Sequence, residues 1–347
     1  MNGAPLPRSE ITIDLGALRH NVGRLCEAAA PAEVWAVVKA DAYGHGAVDA
    51  GRSALVGGAA GLCVATVAEG EELRSALPDA RILVMSPLGE GEETRAREGR
   101  LEVALSAPPV PDGLDVHFKI DTGMGRWGMS LAEALALPRD RLVGLMSHLA
   151  TADEADESFA RDQILRFEEA RRAFPGVPAH LANSAGALRF PEARLDAVRC
   201  GIAVYGLSPF ADDPARHGLE PVLSWRSQVA LTRSLAPGES TGYGRRFVAE
   251  EPTRIGIVPV GYADGFRRGL TGTEVLVGDE RRRVVGTISM DSLAVEIADE
   301  PVGTPVTLIG DGILAEEHAR VLGTINYEIT CGIARDPRRA VRRVVDG

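Results

Sequence analysis

The stretch VWAVVK at residues 34–39 is a short apolar run that ends on a polar residue, and seven similar runs follow it along the chain. Buried parallel strands read as continuous apolar runs, and eight strand–helix units are what an α/β fold of the (β/α)8 TIM-barrel type requires. We therefore predict strands in the runs 34–39, 62–66, 81–86, 101–105, 115–120, 142–148, 178–183 and 196–200, with amphipathic helices between them at 16–29, 67–76, 90–98 and 154–174. A doubly wound open sheet is the alternative, and it fits less well because no GxGxxG turn follows an early strand.

The pattern of apolar and turn-forming residues changes after about residue 219. Short strand patterns such as RIGIVPVG, TEVLVG and SLAVEIA are separated by Gly, Pro and Asp, and few helical windows remain. This pattern predicts a mostly-β C-terminal domain. The predicted domains are therefore a barrel at residues 10–218 and a β domain at residues 219–347. The early stretch EITIDL suggests that residues 1–13 add a strand to the second domain.

Composition excludes several classes of protein. The 347-residue chain carries a net charge of −11, which argues against nucleic acid or an anionic membrane as the main partner. No apolar run is long enough to span a bilayer, and the N-terminal sequence lacks a signal-peptide pattern. Four cysteines are scattered without metal-binding spacing, which is typical of reduced thiols. We expect a cytoplasmic protein without a metal site, a nucleic-acid partner or a membrane partner.

Lysine is nearly absent from the chain. It occurs only at Lys39 and Lys119, whereas the other 36 of the 38 basic residues are arginine. Arginine can supply positive charge on a surface, but it cannot replace lysine where a neutral amine must react. Both lysines end apolar runs rather than lying in polar stretches. They are therefore candidates for amine chemistry, such as Schiff-base formation with a carbonyl cofactor.

Polar and titratable residues gather where the predicted barrel strands end. Barrel enzymes place their chemistry at the C-terminal ends of the strands, which we call the barrel rim. The predicted rim carries a set of residues that suggests one site: Lys39, Lys119, His148, Asn183 and Arg199.

Nine motifs in order along the chain resemble those of the alanine racemase family. They are AVVKADAYGHG (36–46), KIDTGMGRWG (119–128), MSHLATAD (146–153), HLANSAG (180–186), VRCGIAVYG (198–206), STGYG (240–244), VGYADGFRR (260–268), GTISMDS (286–292) and INYEITCGIA (325–334). They cover both predicted domains. The resemblance implies a barrel that binds pyridoxal 5′-phosphate (PLP), a β domain, and racemisation of alanine that supplies D-alanine for peptidoglycan.

The resemblance also implies which residues move protons. Lys39 would hold PLP through its amine and then exchange the α-proton on one face of the substrate. A second group is needed on the opposite face, because a single base tends to return the proton to the side from which it came. The family pattern assigns this role to Tyr243 of the partner subunit, so a homodimer with shared active sites is expected.

Further residues resemble the family's cofactor-binding groups. Arg199 would donate a hydrogen bond to the pyridine nitrogen of PLP, and since a guanidinium does not give up its proton, the nitrogen would stay unprotonated. His148 would orient Arg199. The remaining members of the set are placed near the cofactor phosphate: Tyr43, Asn183, Ser184, Gly201 and Ile202. Tyr205 and Tyr327 are weaker candidates for the same group.

The substrate side of the site is assigned in the same way. Arg126 would approach the substrate carboxylate, Met290 and Asp291 match a substrate-side loop, and Tyr262 and Arg268 match groups that line the entry channel. In relatives the lysine corresponding to Lys119 is often carbamylated, which converts a cation beside Arg126 into an anion.

Two departures from the family pattern leave alternatives open. Thr287 stands where relatives often carry arginine, and CGIARDPRR (331–339) lacks a tyrosine that many relatives use near the phosphate. PLP affinity or substrate range could therefore differ, and a broader-specificity amino-acid racemase is one alternative. A non-catalytic PLP carrier is another, although a carrier would not need Tyr243. A decarboxylase on a related barrel is disfavoured because the match extends into STGYG and GTISMDS.

Overall fold

The computed structural model describes residues 7–347 and divides into two compact units. One unit is Ala17–Glu220, and the other combines the N-terminal segment through Gly16 with Pro221–Gly347. The predicted division at 10–218 and 219–347 differs by a few residues at each boundary, because the first strand pairs within the second unit. Within residues 7–347, no helix has both the length and the apolar character needed to cross a membrane.

The unit Ala17–Glu220 is a closed barrel of eight parallel strands. The first strand of the chain, β1 (Glu10–Asp14), lies in the other unit; the barrel strands are β2 (Glu33–Val37), β3 (Gly61–Val64), β4 (Ile82–Val84), β5 (Glu102–Leu105), β6 (Val116–Lys119), β7 (Leu142–Met146), β8 (Ala179–His180) and β9 (Ala197–Cys200). Each pairs with the next in the chain, and β9 closes the barrel by pairing with β2. All eight coincide with predicted runs, so the predicted fold class is confirmed.

Helices separate most of the barrel strands. They are α1 (Leu15–Ala29), α2 (Lys39–Gly44), α3 (Ala47–Val56), α4 (Val67–Ala76), α5 (Glu92–Glu98), α6 (Leu131–Leu135), α7 (Ser158–Ala173) and α8 (Ser184–Arg189). Local sequence explains several of their ends. Helix α4, for example, begins with a capping box in which Thr66 Oγ1 accepts from the Glu69 backbone N–H and the Glu69 carboxylate accepts from the Thr66 N–H.

The other unit is built on a nine-stranded sheet. Its further strands are β10 (Leu223–Gln228), β11 (Leu231–Leu235), β12 (Ser240–Thr241), β13 (Phe247–Val248), β14 (Thr253–Val258), β15 (Glu274–Val277), β16 (Glu280–Val285), β17 (Leu293–Ile297), β18 (Pro305–Ile309) and β19 (Val341–Val345), with helices α9 (Ala315–Leu322) and α10 (Asn326–Cys331). The sheet order is β11-β14-β17-β16-β15-β18-β10-β1-β19, and β12 and β13 form a separate hairpin. Strand β1 pairs antiparallel with β10 and parallel with β19. Residues 1–6 of the predicted 1–13 segment lie outside the described residues.

Candidate active site

Lys39 lies two residues after the end of β2 and starts a turn with an unusual backbone. Residues 40–43 all have φ between 53° and 55°, the left-handed region, although none is glycine. This conformation costs L-residues roughly 1–2 kcal/mol each, so it persists only where the surroundings enforce it. The Ala40 N–H donates to Glu69 Oε1 at 2.7 Å, and His45 Nδ1 lies 2.9 Å from the Ala42 carbonyl. The strained turn fixes where Lys39 and Tyr43 leave the backbone.

Buried aromatic contacts brace this turn. Tyr205 is fully buried, donates to the Val37 carbonyl at 2.7 Å, and stacks on His45 with ring centres 4.5 Å apart. Its ring also lies 5.0 Å from that of Tyr43. Tyr205 therefore holds the end of β2 against the turn, which is a structural role.

The residues predicted to bind phosphate lie together. A Cβ at Gly201 would lie 2.4 Å from the Tyr43 hydroxyl, so glycine is required for this close approach. Ser184 Oγ accepts the N–H of Gly201 at 2.9 Å. Asn183 caps α8, and Ile202 is fully buried at the start of a 3-10 turn, Ile202–Tyr205. Small residues and backbone N–H groups are thus gathered where an anion could approach.

Arg199, on β9, is buried and held by several acceptors. Its Nη2 donates to the Ser147 carbonyl at 2.6 Å and the Leu181 carbonyl at 3.2 Å, and its Nη1 donates to the His180 carbonyl at 2.9 Å. His148 Nδ1 lies 3.3 Å from Nη2. Burial lowers the pKa of Arg199 to about 10, so it stays charged at neutral pH. Burial and the nearby cations, Arg199 first among them, hold the pKa of His148 well below its ordinary range, so His148 is a neutral acceptor.

Lys119 ends β6 among other cations. Burial first, and then the positive charges of Arg199, Arg126 and Lys39, lower the pKa of Lys119 to about 8. Its Nζ and the Arg126 Cζ each lie 5.1 Å from the centre of the Trp127 ring. The barrel rim therefore concentrates four cationic side chains, which is a site for a ligand with several negative charges.

Three polar residues behind Arg199 escaped the sequence interpretation. His117 and His180 are fully buried, and Glu102 is joined to them by hydrogen bonds. Each is a polar residue within a predicted apolar run, and His180 also begins the motif HLANSAG, but nothing in the sequence indicates a role for any of the three.

Tyr243 lies in the β-rich unit on a short 3-10 turn, Tyr243–Arg245, and its side chain is 71% exposed. Gly242 precedes it with φ +79°, and a Cβ there would lie 2.7 Å from the Thr287 nitrogen. Thr287 Oγ1 donates to the Tyr243 carbonyl at 2.8 Å, so the residue that departs from the family pattern anchors this turn. Tyr243, Tyr262 and Arg268 together line a cavity of about 370 Å³.

Met290 and Asp291 form a loop of the same unit, supported by an ion-pair cluster. Arg339 Nη2 donates to Asp291 Oδ1 at 2.6 Å, and Arg339 and Arg8 both pair with buried Asp264. Burial alone would raise the pKa of Asp264, but the hydrogen bonds from Arg8 and Arg339 hold it below its ordinary value. The backbone of the Tyr262 loop donates to this loop as well, from the Ala263 N–H to the Met290 carbonyl at 3.0 Å.

The predicted residues thus fall into two groups. In the barrel, contacts and charge interactions bring together Lys39, Tyr43, Lys119, Arg126, His148, Asn183, Ser184, Arg199, Gly201 and Ile202. In the β-rich unit, Tyr243 lies with Tyr262 and Arg268, and Met290 and Asp291 lie beside the Tyr262 loop. Tyr327 is in the first turn of α10 in that unit.

Comparisons with known proteins match nearly the whole chain. Residues 13–209 match the family description "Alanine racemase, N-terminal domain", and residues 222–341 match "Alanine racemase, C-terminal domain". The chain is 40% identical to the catabolic alanine racemase of Pseudomonas putida, across 94% of this chain and 97% of that protein.

Solved structures are similar over the same extent. The biosynthetic alanine racemase of Pseudomonas aeruginosa superimposes with a TM-score of 0.90 at 36% identity, covering 99% of this chain and 100% of the other. An alanine racemase from Bartonella henselae with covalently bound pyridoxal phosphate superimposes with a TM-score of 0.89 at 27% identity, covering 99% and 100% of the two chains.

Proposed function

Because the chain belongs to the alanine racemase family, we propose that it interconverts L-alanine and D-alanine with PLP held at Lys39. The observation that carries this proposal is the group of four cations at the barrel rim, with both of the chain's lysines among them. We place the reaction in the cytoplasm, where the four free thiols would stay reduced, and its D-alanine would serve peptidoglycan synthesis.

The side chains at the rim fit PLP. The cofactor has an anionic phosphate, an aldehyde that reacts with an amine, and a ring nitrogen that accepts a hydrogen bond. Tyr43, Ser184 and the N–H groups near Gly201 would receive the phosphate, Lys39 would receive the aldehyde, and Arg199 would face the ring nitrogen. When bound, PLP draws electrons from the substrate Cα–H bond, which makes removal of that proton feasible near neutrality.

Arg199 would donate a hydrogen bond to the cofactor without giving up a proton. Its pKa of about 10 keeps it charged at working pH, and its hydrogen bonds to backbone carbonyls fix the guanidinium plane. His148 is neutral and accepts from Arg199, so it adds no competing charge. This arrangement favours return of the α-proton over other outcomes, which suits a racemase.

Two groups would move the α-proton on opposite faces of the substrate. We assign one to Lys39 Nζ and the other to Tyr243 Oη of the partner subunit. The Tyr243 side chain is exposed in its own unit and borders a cavity with Tyr262 and Arg268, so it is free to meet a ligand. Met290 and Asp291 would complete the substrate side, and Arg268 and Tyr262 would line the entry.

Arg126 would bind the substrate carboxylate, with a carbamylated Lys119 beside it. Carbamylation needs a neutral amine, and the lowered pKa of Lys119 supplies one more readily than an exposed lysine does. The carbamate would replace a repelling cation by an anion that accepts hydrogen bonds from Arg126.

The reaction is tested by chiral chromatography after incubating the PLP-loaded protein with L-alanine and, separately, with L-serine. Rapid formation of D-alanine with little D-serine is expected. Comparable turnover of both would move the assignment to a broad-specificity racemase. PLP bound at Lys39 without racemisation of either amino acid would favour a PLP carrier instead.

Shared active sites are tested by mixing two inactive variants, Lys39→Ala and Tyr243→Phe. A mixed dimer would contain one site with both wild-type groups, so random exchange should restore about a quarter of wild-type activity. No recovery after verified subunit exchange would contradict the shared site.

A further inference from the structure

A continuous line of hydrogen bonds runs behind Arg199 through the barrel. Arg81 Nε donates to Glu102 Oε1 at 2.8 Å, and Glu102 Oε2 lies 2.7 Å from His117 Nε2. His117 Nδ1 lies 2.8 Å from His180 Nε2, and His180 Nδ1 lies 2.6 Å from Arg199 Nη1. We call Glu102, His117 and His180 the histidine relay. It links the first residue of β5 to the rim end of β9.

The barrel is shaped to hold the relay. His117 on β6 and His180 on β8 are not on neighbouring strands, so their hydrogen bond passes the intervening strand β7. Gly144 on β7 is paired with His117, and a Cβ there would lie 2.0 Å from His117 Nδ1. Trp35 packs on both rings, with centres 4.7 Å from His180 and 5.7 Å from His117. Gly144 and Trp35 together thus restrict the His117 and His180 rings to one position each.

The two ends of the relay fix where each proton lies. A guanidinium can only donate, so His180 Nδ1 must accept from Arg199, and His180 then carries its proton on Nε2. That N–H donates to His117 Nδ1, so His117 also carries its proton on Nε2 and donates it to Glu102. A carboxylate can only accept, so every hydrogen bond runs from Arg199 toward Glu102. No other order of protons satisfies both ends.

The charges agree with this order. Burial lowers the pKa of both histidines, strongly for His180, so both rings are neutral. Burial would raise the pKa of Glu102, but the hydrogen bonds from His117 and Arg81 lower it below its ordinary value, so Glu102 is an anion. A neutral pair of rings therefore connects a carboxylate to a buried guanidinium.

We propose that Glu102 is a positioning residue for the reaction, acting on Arg199 through His117 and His180. The carboxylate polarises each ring in turn, which makes His180 Nδ1 a stronger acceptor and locks the rotation of the Arg199 guanidinium. Arg199 then keeps a donor aimed at the bound cofactor. The effect of Glu102 on the cofactor rests on the proposed function, whereas the order of protons in the histidine relay does not.

The proton order is tested by NMR of protein labelled with ¹⁵N-histidine, in which the protonated and unprotonated ring nitrogens are distinguished. We expect His117 and His180 each to have the proton on Nε2 and to stay neutral from about pH 6 to 8, where an ordinary histidine titrates. A proton on Nδ1 of either ring, or titration of either ring in that range, would overturn the relay. This readout does not require racemase activity.

The effect on the reaction is tested with Glu102→Gln, which keeps a carbonyl acceptor of the same size but removes the charge. We expect His117 and His180 to keep their protons on Nε2 and the PLP content to stay unchanged. The kcat for alanine should fall by about tenfold with little change in KM, a loss of the size seen when a group that supports a metal ligand is removed. Glu102→Leu, which offers no acceptor, should lower kcat further and broaden the pattern of ring protonation.

The matched control is Glu71→Gln. Glu71, on α4, also accepts from an arginine, with Arg95 Nε at 2.9 Å, but it contacts neither the relay nor Trp35. Its kcat should equal that of the wild type. Equal kcat in Glu102→Gln and Glu71→Gln would refute the positioning role even if the ring protons are as expected. A wild-type protein without racemase activity would refute the proposed function while leaving the NMR result to decide the relay.

Discussion

The charge on Lys119 is open to a direct thermodynamic test. Its pKa of about 8, against an ordinary 10.5, means that the folded protein disfavours the ammonium by about 3 kcal/mol, at about 1.4 kcal/mol for each pH unit. The folded state binds the proton less well than the unfolded state, so this cost is fully present below about pH 8. It is relieved as the pH rises from about 8 to 10.5, and stability should rise over that range.

The perturbation is Lys119→Met, measured with the wild type by urea denaturation in CO₂-free buffer without cofactor. Fluorescence of Trp35 and Trp127 would report unfolding of the barrel. Between about pH 7 and 10 the wild type should gain roughly 2.5 kcal/mol of stability relative to the variant, since the variant has no ammonium to lose. Added bicarbonate should also raise the stability of the wild type at pH 7, because a carbamate on Lys119 removes the cation.

Carbamylation itself is detected by NMR with ¹³C-bicarbonate. At pH 7 about a tenth of Lys119 is neutral, several hundred times the fraction of an unperturbed lysine. A carbamate signal is expected in the wild type that is absent from Lys119→Arg, in which only a free N-terminal amine, with an ordinary pKa near 8, can still give one. Arg172→Lys, which places a lysine on an exposed position of α7, should add no further signal. A wild type without the signal, or with a stability difference that is flat in pH, would refute the reasoning about Lys119.

Three further predictions concern supporting residues. Thr287→Val removes the hydrogen bond to the Tyr243 carbonyl and should lower kcat by about twofold to tenfold, whereas Thr287→Ser should stay near wild type in the same chiral assay. Gly144→Ala pushes a Cβ into a buried histidine ring and should cost about 1–3 kcal/mol in urea denaturation; Gly23→Ala, with open space in α1, should cost nothing. Asp264→Asn leaves Arg8 and Arg339 without their carboxylate and should destabilise the β-rich unit by about 3 kcal/mol at pH 7, as measured by Trp225 fluorescence. The difference from the wild type should shrink in acid, because the wild-type carboxylate is then protonated.

The barrel was predictable because its strands are buried on both faces. Such strands appear in the sequence as continuous apolar runs, and each of the eight predicted runs overlaps an observed strand. The left-handed turn after Lys39 was not predictable. Its sequence, ADAY, contains no glycine, and its backbone is held by Glu69, His45 and Tyr205, which are distant in sequence or follow the turn. Local propensity opposes the conformation that these tertiary contacts enforce.

The candidate site was predictable only where strand ends and motifs identify it. Lys119 is the last residue of β6 and Arg199 the penultimate residue of β9, so position alone made them candidates. His117 and His180 lie within strands whose two faces are both buried, and no alternation of polar and apolar residues indicates which side chains face the barrel interior. The link between them is seen only in the structure, where a side chain on β6 reaches a side chain on β8 past the intervening strand.

The scarcity of lysine and the charge at the rim have one physical explanation. Four cations at one barrel end raise the energy of the protein before any anion is bound, and the two arginines cannot relieve this because they do not lose protons near neutrality. Under the proposed function each lysine would do so by reacting as a neutral amine, Lys39 with the cofactor aldehyde and Lys119 with CO₂. Replacing either by arginine would keep the charge and remove this route, which would explain why lysine persists at these two positions in a chain that otherwise uses arginine.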